Sequence, residues 1–152
     1  MKHGLLILLL GINTASAAPL QLDLPRLTGD GQVSLNSVKH RPVVLNFWAS
    51  NCVPCVAELP LLNAQAARQR RTAVIGIAID ERQAARRFLQ QHPASYEQAH
   101  AAPPANMLMG RFGNQISGLP YTVILNAEHE VCTRRLGRID ASWLAKAVAA
   151  CT

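Results

Sequence analysis

Aromatic side chains are scarce in this sequence, and so are acidic ones. Of its 152 residues only three are Phe, two Trp and two Tyr, and 9 acidic residues stand against 15 basic ones. A nucleic-acid-binding surface combines clustered basic residues with aromatic side chains, so we do not expect nucleic-acid binding. The arginines form scattered groups that are typical of solvated faces, with a mild preference for acidic partners as an alternative. These groups are Arg68, Arg70 and Arg71; Arg82, Arg86 and Arg87; and Arg134, Arg135 and Arg138.

A hydrophobic run long enough to span a bilayer is also missing. The apolar stretch Gly4–Ile12 is far shorter than the ~20 residues that a membrane helix needs. It follows Lys2 and precedes Ala15-Ser16-Ala17, which is the charged, apolar and small-residue order of a secretory signal peptide. We therefore predict a cleaved signal peptide over residues 1–17 and one exported, periplasmic domain over residues 18–152. An uncleaved N-terminal membrane anchor is the alternative.

The four cysteines include only one pair with the spacing of metal ligands. Two residues separate Cys52 from Cys55, but Cys132, Cys151 and the five histidines provide no second pair of that kind. A structural zinc site takes four ligands, so we expect neither a metal nor a cofactor. In an exported protein, cysteines are free to form disulfides. The pair Cys52–Cys55 therefore indicates redox chemistry.

The residues on either side of the cysteine pair support this interpretation. The run Val43–Trp48 is rich in β-branched and aromatic residues and predicts a buried strand, and Val56–Arg68 predicts a helix with a kink at Pro60. Cys52 then lies at the start of a helix, where free N–H groups and the helix dipole favour a thiolate. Because the thiolate is the nucleophile, we assign attack to Cys52 and resolution of the mixed disulfide to Cys55.

Two segments resemble thiol–disulfide oxidoreductases of the TlpA/ResA type, a branch of the thioredoxin superfamily. Phe47–Pro60 resembles the active-site segment of that family, and Gly118–Asn126 resembles its cis-proline loop and the strand that follows. The resemblance covers roughly residues 20–150. It implies a thioredoxin-like α/β fold, with a central mixed sheet flanked by helices and an N-terminal β-hairpin extension. It also implies that Pro120 is cis and lies against the CxxC motif.

Regular patterns elsewhere in the chain agree with this fold. Leu20, Leu22 and Leu24 alternate with polar residues before an Asp30-Gly31 turn, which predicts the hairpin. A second buried strand is predicted over Ala73–Ile79, followed by a helix. Asp80, with Gln83 three residues on, resembles a capping box for this helix. Strands that alternate with helices indicate a parallel α/β core.

Four more residues complete the predicted site. Glu58 lies three residues beyond Cys55 on the same helix face and would accept the proton of Cys55 once burial has raised its pKa. An exposed helix glutamate is the alternative. Thioredoxin itself is expected to carry an aspartate where this chain has Asn46. For contact with the substrate we name Pro120 together with Leu119 and Trp48.

Cys132 and Cys151 are candidates for a structural disulfide. Leu144, Ala147, Val148 and Cys151 follow one another at i, i+3, i+4 and i+7, so Cys151 lies on the apolar face of a last helix that Asp140 begins as its cap. That helix runs back toward the start of the strand that carries Cys132. A bridge would close a loop of about 20 residues and stabilise the fold by roughly 3 kcal/mol. Two buried free thiols, or a second redox pair, are the alternatives.

The sequence thus predicts an exported thiol–disulfide oxidoreductase, with reduction of partner proteins favoured over oxidation. The resemblance implies that the substrates are cysteine-containing exported proteins and that a membrane electron-donor thiol protein re-reduces the pair. A thiol oxidant and a non-catalytic binding or chaperone module are the alternatives. Two residues depart from the expected patterns. Asn51 replaces the Trp that often precedes the first cysteine, and Tyr121 replaces the acidic residue typical of DsbE-type cytochrome-maturation reductases.

Overall fold

A computed structural model of the chain describes residues 19–68 and 71–152. The predicted signal peptide lies outside these residues. Twelve helices and strands follow one another within them, with a short 3-10 helix over Leu35–Ser37. In chain order they are β1 Asp23–Pro25, β2 Gln32–Ser34, β3 Val43–Trp48, α1 Val53–Val56, α2 Leu59–Ala66, β4 Ala73–Ala78, α3 Arg82–Gln91, β5 Glu97–His100, α4 Asn106–Arg111, β6 Tyr121–Leu125, β7 Val131–Leu136 and α5 Ala141–Ala149.

Five of the strands form one mixed sheet in the order β5-β4-β3-β6-β7. Strands β3, β4 and β5 run parallel to one another, whereas β6 is antiparallel to β3 and β7 is antiparallel to β6. Every residue of β3, β4 and β6 is buried, as their continuous apolar runs predict for strands covered on both faces. The predicted thioredoxin-like α/β architecture is confirmed.

The N-terminal hairpin is a two-stranded sheet of its own, formed by β1 and β2. It covers the outer edge of β5, since the Leu27 N–H donates to the Gln98 carbonyl at 2.8 Å. Leu27 itself is fully buried and packs with Trp48 and Cys55. The extension therefore protects a sheet edge and also reaches the core beneath the cysteine pair.

The segment after the cysteine pair differs from the predicted kinked helix. Two helices stand there, α1 and α2, and Ala57 and Glu58 separate them. Pro60 lies in the first turn of α2, where its missing N–H costs nothing. In one continuous helix it would have left the Val56 carbonyl without its donor and clashed with it.

The capping-box prediction for Asp80 is wrong. Glu81 is the N-cap residue of α3, and its side chain makes no capping hydrogen bond. The carboxylate of Asp80 instead turns back along the chain and accepts hydrogen bonds from Ser50. A hydrogen bond to Ser50, 30 residues earlier in the chain, thus takes the place of the predicted capping bond within the helix.

Cys132 and Cys151 are bonded to each other, with 5.7 Å between their Cα atoms. The register between β6 and β7 shifts at this point: Leu125 pairs with Val131, but Ile124 pairs with Thr133. Cys132 is therefore the extra residue of a β-bulge in β7. Cys151 is buried beyond the end of α5, which begins at an Asp140 cap that accepts from the Trp143 N–H at 2.8 Å.

None of the helices over residues 19–68 and 71–152 combines the length and the apolar character needed to cross a membrane.

Replacing Cys132 by serine and Cys151 by alanine is expected to lower the free energy of unfolding by about 3 kcal/mol, because the crosslink restricts the unfolded chain. Urea unfolding at neutral pH measures the difference. The protein with the bridge and the variant without it should both carry Cys52→Ala and Cys55→Ala, so that Cys132–Cys151 is the remaining bridge. Added reductant should then abolish the difference in stability. Equal stabilities without reductant would contradict the prediction.

Candidate active site

The cysteine pair lies where β3 ends and α1 begins. A tight turn from Ala49 to Cys52, closed by a 3.1 Å hydrogen bond between the Cys52 N–H and the Ala49 carbonyl, leads from the strand into the helix. Cys52 is the N-cap residue of α1, and Cys55 is one turn further on. Their sulfurs are bonded, with 5.3 Å between the Cα atoms. The structure thus describes the oxidised form of the pair.

The two bonded sulfurs belong to residues in different surroundings. Cys55 is only 4% exposed and packs against Trp48 and Ala78, whereas Cys52 is half-buried at the rim of the same cluster. A partner thiol or disulfide therefore has better access to Cys52. This difference matches the predicted division into an attacking and a resolving cysteine.

Glu58 is a buried carboxyl group, so the alternative of an exposed helix glutamate is excluded. It is 1% exposed, and its two oxygens accept hydrogen bonds from the Ile139 N–H at 2.8 Å and from the Asn46 Nδ2 at 3.0 Å. Desolvation raises the pKa of Glu58, although these two hydrogen bonds and the positive charges of Arg138 and Arg135 act in the opposite direction. The net rise is what a group that takes up a proton near neutral pH needs.

Asn46 connects this carboxyl group to the centre of the sheet. It lies on β3, is 2% exposed, and donates from Nδ2 to the Thr122 Oγ1 at 3.1 Å as well as to Glu58. Asparagine is neutral at every pH, so Glu58 is the ionisable member of this buried group. Ile139, which follows β7, closes the network from the other side.

Trp48 contributes packing and offers a substrate almost no surface. It is 4% exposed, packs in a tilted arrangement with its ring centroid 5.4 Å from that of Phe88, and donates from its indole N–H to the Gln98 Oε1 at 2.9 Å. Gln98 reaches it over Gly76, where any Cβ would overlap the Gln98 side chain. This low exposure argues against the predicted substrate contact, and the Trp48 ring instead packs in the cluster that contains Cys55.

The proline loop leaves the backbone polar groups of one residue, Leu119, without partners. The Leu119–Pro120 bond is cis, and the Pro120 carbonyl accepts from the Gly137 N–H at 2.9 Å. Asn114 holds Gly118 twice, donating to its carbonyl at 2.8 Å and accepting from its N–H at 3.3 Å. Within the described part of the chain, the Leu119 N–H and carbonyl have no hydrogen-bond partner. Sequence reasoning missed Asn114, since a loop asparagine beside a glycine has no distinctive pattern.

Leu119 and Pro120 differ in the solvent exposure of their side chains. Leu119 is half-buried and packs at the rim of the cluster that contains Cys55, beside Cys52, whereas Pro120 is buried. The proline loop and the cysteine pair therefore contribute to the same apolar cluster. Among the described residues, no group of three or more His, Cys, Asp or Glu side chains is arranged to hold a metal ion.

A thioredoxin-like fold with a CxxC pair at the end of its central strand defines a thioredoxin-type redox domain. The profile of the AhpC/TSA family matches residues 15–140, and the chain belongs to that family. The resemblance to TlpA/ResA-type proteins is confirmed by relatives named ResA and DsbE.

Two curated relatives are each 25% identical to this chain. The thiol-disulfide oxidoreductase ResA of Bacillus thuringiensis (strain Al Hakam) matches over 109 residues, which are 70% of this chain and 61% of ResA. The thiol:disulfide interchange protein DsbE of Pseudomonas fluorescens biotype C matches over 119 residues, 78% of this chain and 64% of DsbE. The chain thus spans less than two thirds of the length of these relatives.

A solved structure, the thioredoxin-related protein of Neisseria meningitidis serogroup B, superposes with a TM-score of 0.73 at 27% identity. The alignment covers 83% of this chain and 96% of that one.

Replacing Glu58 by glutamine is expected to flatten the dependence of stability on pH. The pKa of Glu58 is raised in the folded protein, so the unfolded chain loses this proton first as pH rises. The free energy of unfolding therefore falls as pH rises from the unfolded pKa, near 4.5, to the higher folded pKa, and it stays lower above that pH. Urea unfolding from pH 4 to pH 8, compared with Glu128→Gln in an exposed turn, tests this; equal slopes for the wild type and Glu58→Gln would refute it.

Proposed function

We propose that this protein is a thiol–disulfide oxidoreductase that reduces disulfides in partner proteins. The observation that carries the proposal is the asymmetry of the pair: Cys52 is half-buried, whereas Cys55 is buried and is followed by the buried carboxyl group of Glu58. The relatives named ResA and DsbE support the same chemistry. A non-catalytic binding module would need neither the Cys52 nor the Cys55 sulfur. No contact among the described residues favours such a module.

The reaction begins with the reduced pair. The Cys52 thiolate attacks one sulfur of the substrate disulfide, and the other substrate sulfur leaves as a thiolate. Cys55 then attacks the Cys52 sulfur of the mixed disulfide while Glu58 takes the Cys55 proton, and the first substrate sulfur leaves. Two electrons pass to the substrate, which becomes a dithiol, and Cys52–Cys55 becomes the disulfide.

The substrate chain docks on the proline loop in this proposal. The free N–H and carbonyl of Leu119 lie beside the cysteine pair, where they pair with an extended segment of the partner as an added strand does. The Leu119 side chain contributes apolar contact, and Pro120 keeps the N–H and carbonyl of Leu119 turned toward the partner. The recognition is mainly of backbone, which suits a protein that acts on several substrates.

Location and partners follow from the N-terminal sequence and from the chemistry. Residues 1–17 serve as a signal peptide, residues 18–152 act as one domain, and the mature protein works in the periplasm on cysteine-containing exported proteins. Because each turnover leaves Cys52–Cys55 oxidised in an oxidising compartment, a membrane thiol protein must return two electrons to the pair.

Reduction of insulin disulfides tests the activity. The wild type should accelerate insulin precipitation by dithiothreitol, whereas Cys52→Ser and Cys55→Ser should not, because each removes one sulfur of the exchange. The reduction potential, measured by equilibration with glutathione, tests the direction: a value more positive than about −150 mV would identify an oxidant instead. A wild type no faster than both variants would refute the enzymatic proposal.

Replacing Glu58 by glutamine should slow the second step of the exchange about 100-fold, since general-base catalysis typically contributes at least that much. The first step, attack by Cys52, should be unchanged. Stopped-flow kinetics with a disulfide peptide separates the two, because the mixed disulfide should accumulate in the variant. The control is Glu128→Gln, on an exposed turn. A variant that resolves the mixed disulfide at the wild-type rate would remove Glu58 from the mechanism.

A further inference from the structure

Asp80 lies outside the proposed reaction but is bound directly to the segment that carries Cys52. One oxygen of its carboxylate, Oδ2, accepts hydrogen bonds from both the backbone N–H of Ser50, at 2.8 Å, and the Ser50 hydroxyl. Asp80 follows β4, the strand beside β3 in the sheet. The carboxylate thus ties the ends of two neighbouring strands together at the edge where the cysteines lie.

Ser50 is an inner residue of the turn that ends at Cys52. The 3.1 Å bond from the Cys52 N–H to the Ala49 carbonyl closes this turn, so Ser50 and Asn51 are its two central residues. The ends of such a turn are less than about 7 Å apart. A negative charge held on Ser50 is therefore close to Cys52 as well.

No positive side chain neutralises this charge within the part of the chain that the structure describes. Arg82, two residues further on, points away and donates to the backbone carbonyls of Arg26, at 2.6 Å, and Leu27, at 3.4 Å. The second carboxylate oxygen of Asp80, Oδ1, is buried and accepts no hydrogen bond from the described residues. Water therefore screens it poorly, and its charge acts on its surroundings more strongly than an exposed one would.

The backbone at Asp80 is itself held in place. The Asp80 carbonyl is 2.8 Å from the Nε2 atom of His100, a residue that is 6% exposed at the end of β5. Three neighbouring strands, β3, β4 and β5, are thereby linked at their carboxyl ends. The position of the carboxylate beside Ser50 is set by the sheet rather than by a flexible loop.

We propose that Asp80 is a positioning residue for Cys52 that also shifts the redox balance of the cysteine pair toward electron donation. Its hydrogen bonds hold the turn in the shape that presents Cys52 to the partner. Its negative charge disfavours the Cys52 thiolate, which exists only in the reduced pair. Anything that disfavours the reduced pair favours the disulfide, so Asp80 makes the reduced protein a stronger electron donor.

This inference deepens the proposed function, because it concerns the redox balance of the same two cysteines. The direction is opposite to the effect of the helix dipole on Cys52, which stabilises a thiolate. The helix that Cys52 begins is only four residues long. One unneutralised carboxylate next to its first turn is therefore a substantial opposing charge.

The test compares two carboxylates that are adjacent in the chain. Asp80→Asn keeps an oxygen acceptor for Ser50 and removes the charge, whereas Glu81→Gln removes an equal charge from an exposed side chain that makes no capping bond. Equilibration with glutathione at pH 8 should show that Asp80→Asn shifts the thiol–disulfide equilibrium toward the dithiol about threefold, or about 14 mV. Glu81→Gln should shift it less than about 1.3-fold.

A third variant separates position from charge. Asp80→Ala should show the same equilibrium shift as Asp80→Asn and, in addition, a loss of about tenfold in the rate of insulin reduction, because the turn loses its anchor. An unchanged equilibrium in Asp80→Asn, or a shift toward the disulfide, would overturn the proposal. So would failure of both Asp80 variants to fold, since Asp80 would then be needed for the fold itself.

The wild type serves as the check on the proposed function. An inactive wild type would refute the oxidoreductase, whereas an active wild type with an Asp80→Asn variant of equal potential would refute only the role of Asp80.

Discussion

A carboxyl group taken out of water is the constraint on which the rest of this structure depends. Burying Glu58 is unfavourable unless its oxygens are hydrogen-bonded, and their two donors, Asn46 and Ile139, come from separate parts of the fold. Asn46 belongs to the central strand, and Ile139 links the edge strand β7 to α5. The start of α2, the centre of the sheet and the last helix are therefore fixed relative to one another around Cys55.

The site divides its polar groups between two sides of the cysteine pair. On the buried side, Glu58 lies three residues beyond Cys55 and has a raised pKa, as the proposed proton transfer requires. On the accessible side, Asp80 holds the turn before Cys52, and Leu119, whose backbone groups are unpaired, packs against the same cluster as Cys52. Glu58 thus suits proton transfer, whereas Asp80 suits positioning the turn and placing a negative charge beside it, because Glu58 is the more buried of the two.

Patterns that are local in the chain were predictable from the sequence. The CxxC pair between a buried strand and a helix, the Asp30-Gly31 hairpin and the Asp140 cap each depend on residues a few positions apart. Features that depend on packing were not. Pro60 was expected to kink a helix, but the chain breaks before it, at Ala57 and Glu58, and Trp48 proved to lie beneath the site rather than at its surface.

The sequence by itself determined the reactive group and the class of fold, because a cysteine pair, an apolar run or a turn signal is complete within a short segment. Only the tertiary structure decided which polar groups meet. Glu58 receives its backbone donor from Ile139, 81 residues away, and Asp80 binds Ser50, 30 residues before it. Such pairs arise from the order in which strands pack side by side, and no periodicity along the chain encodes that order.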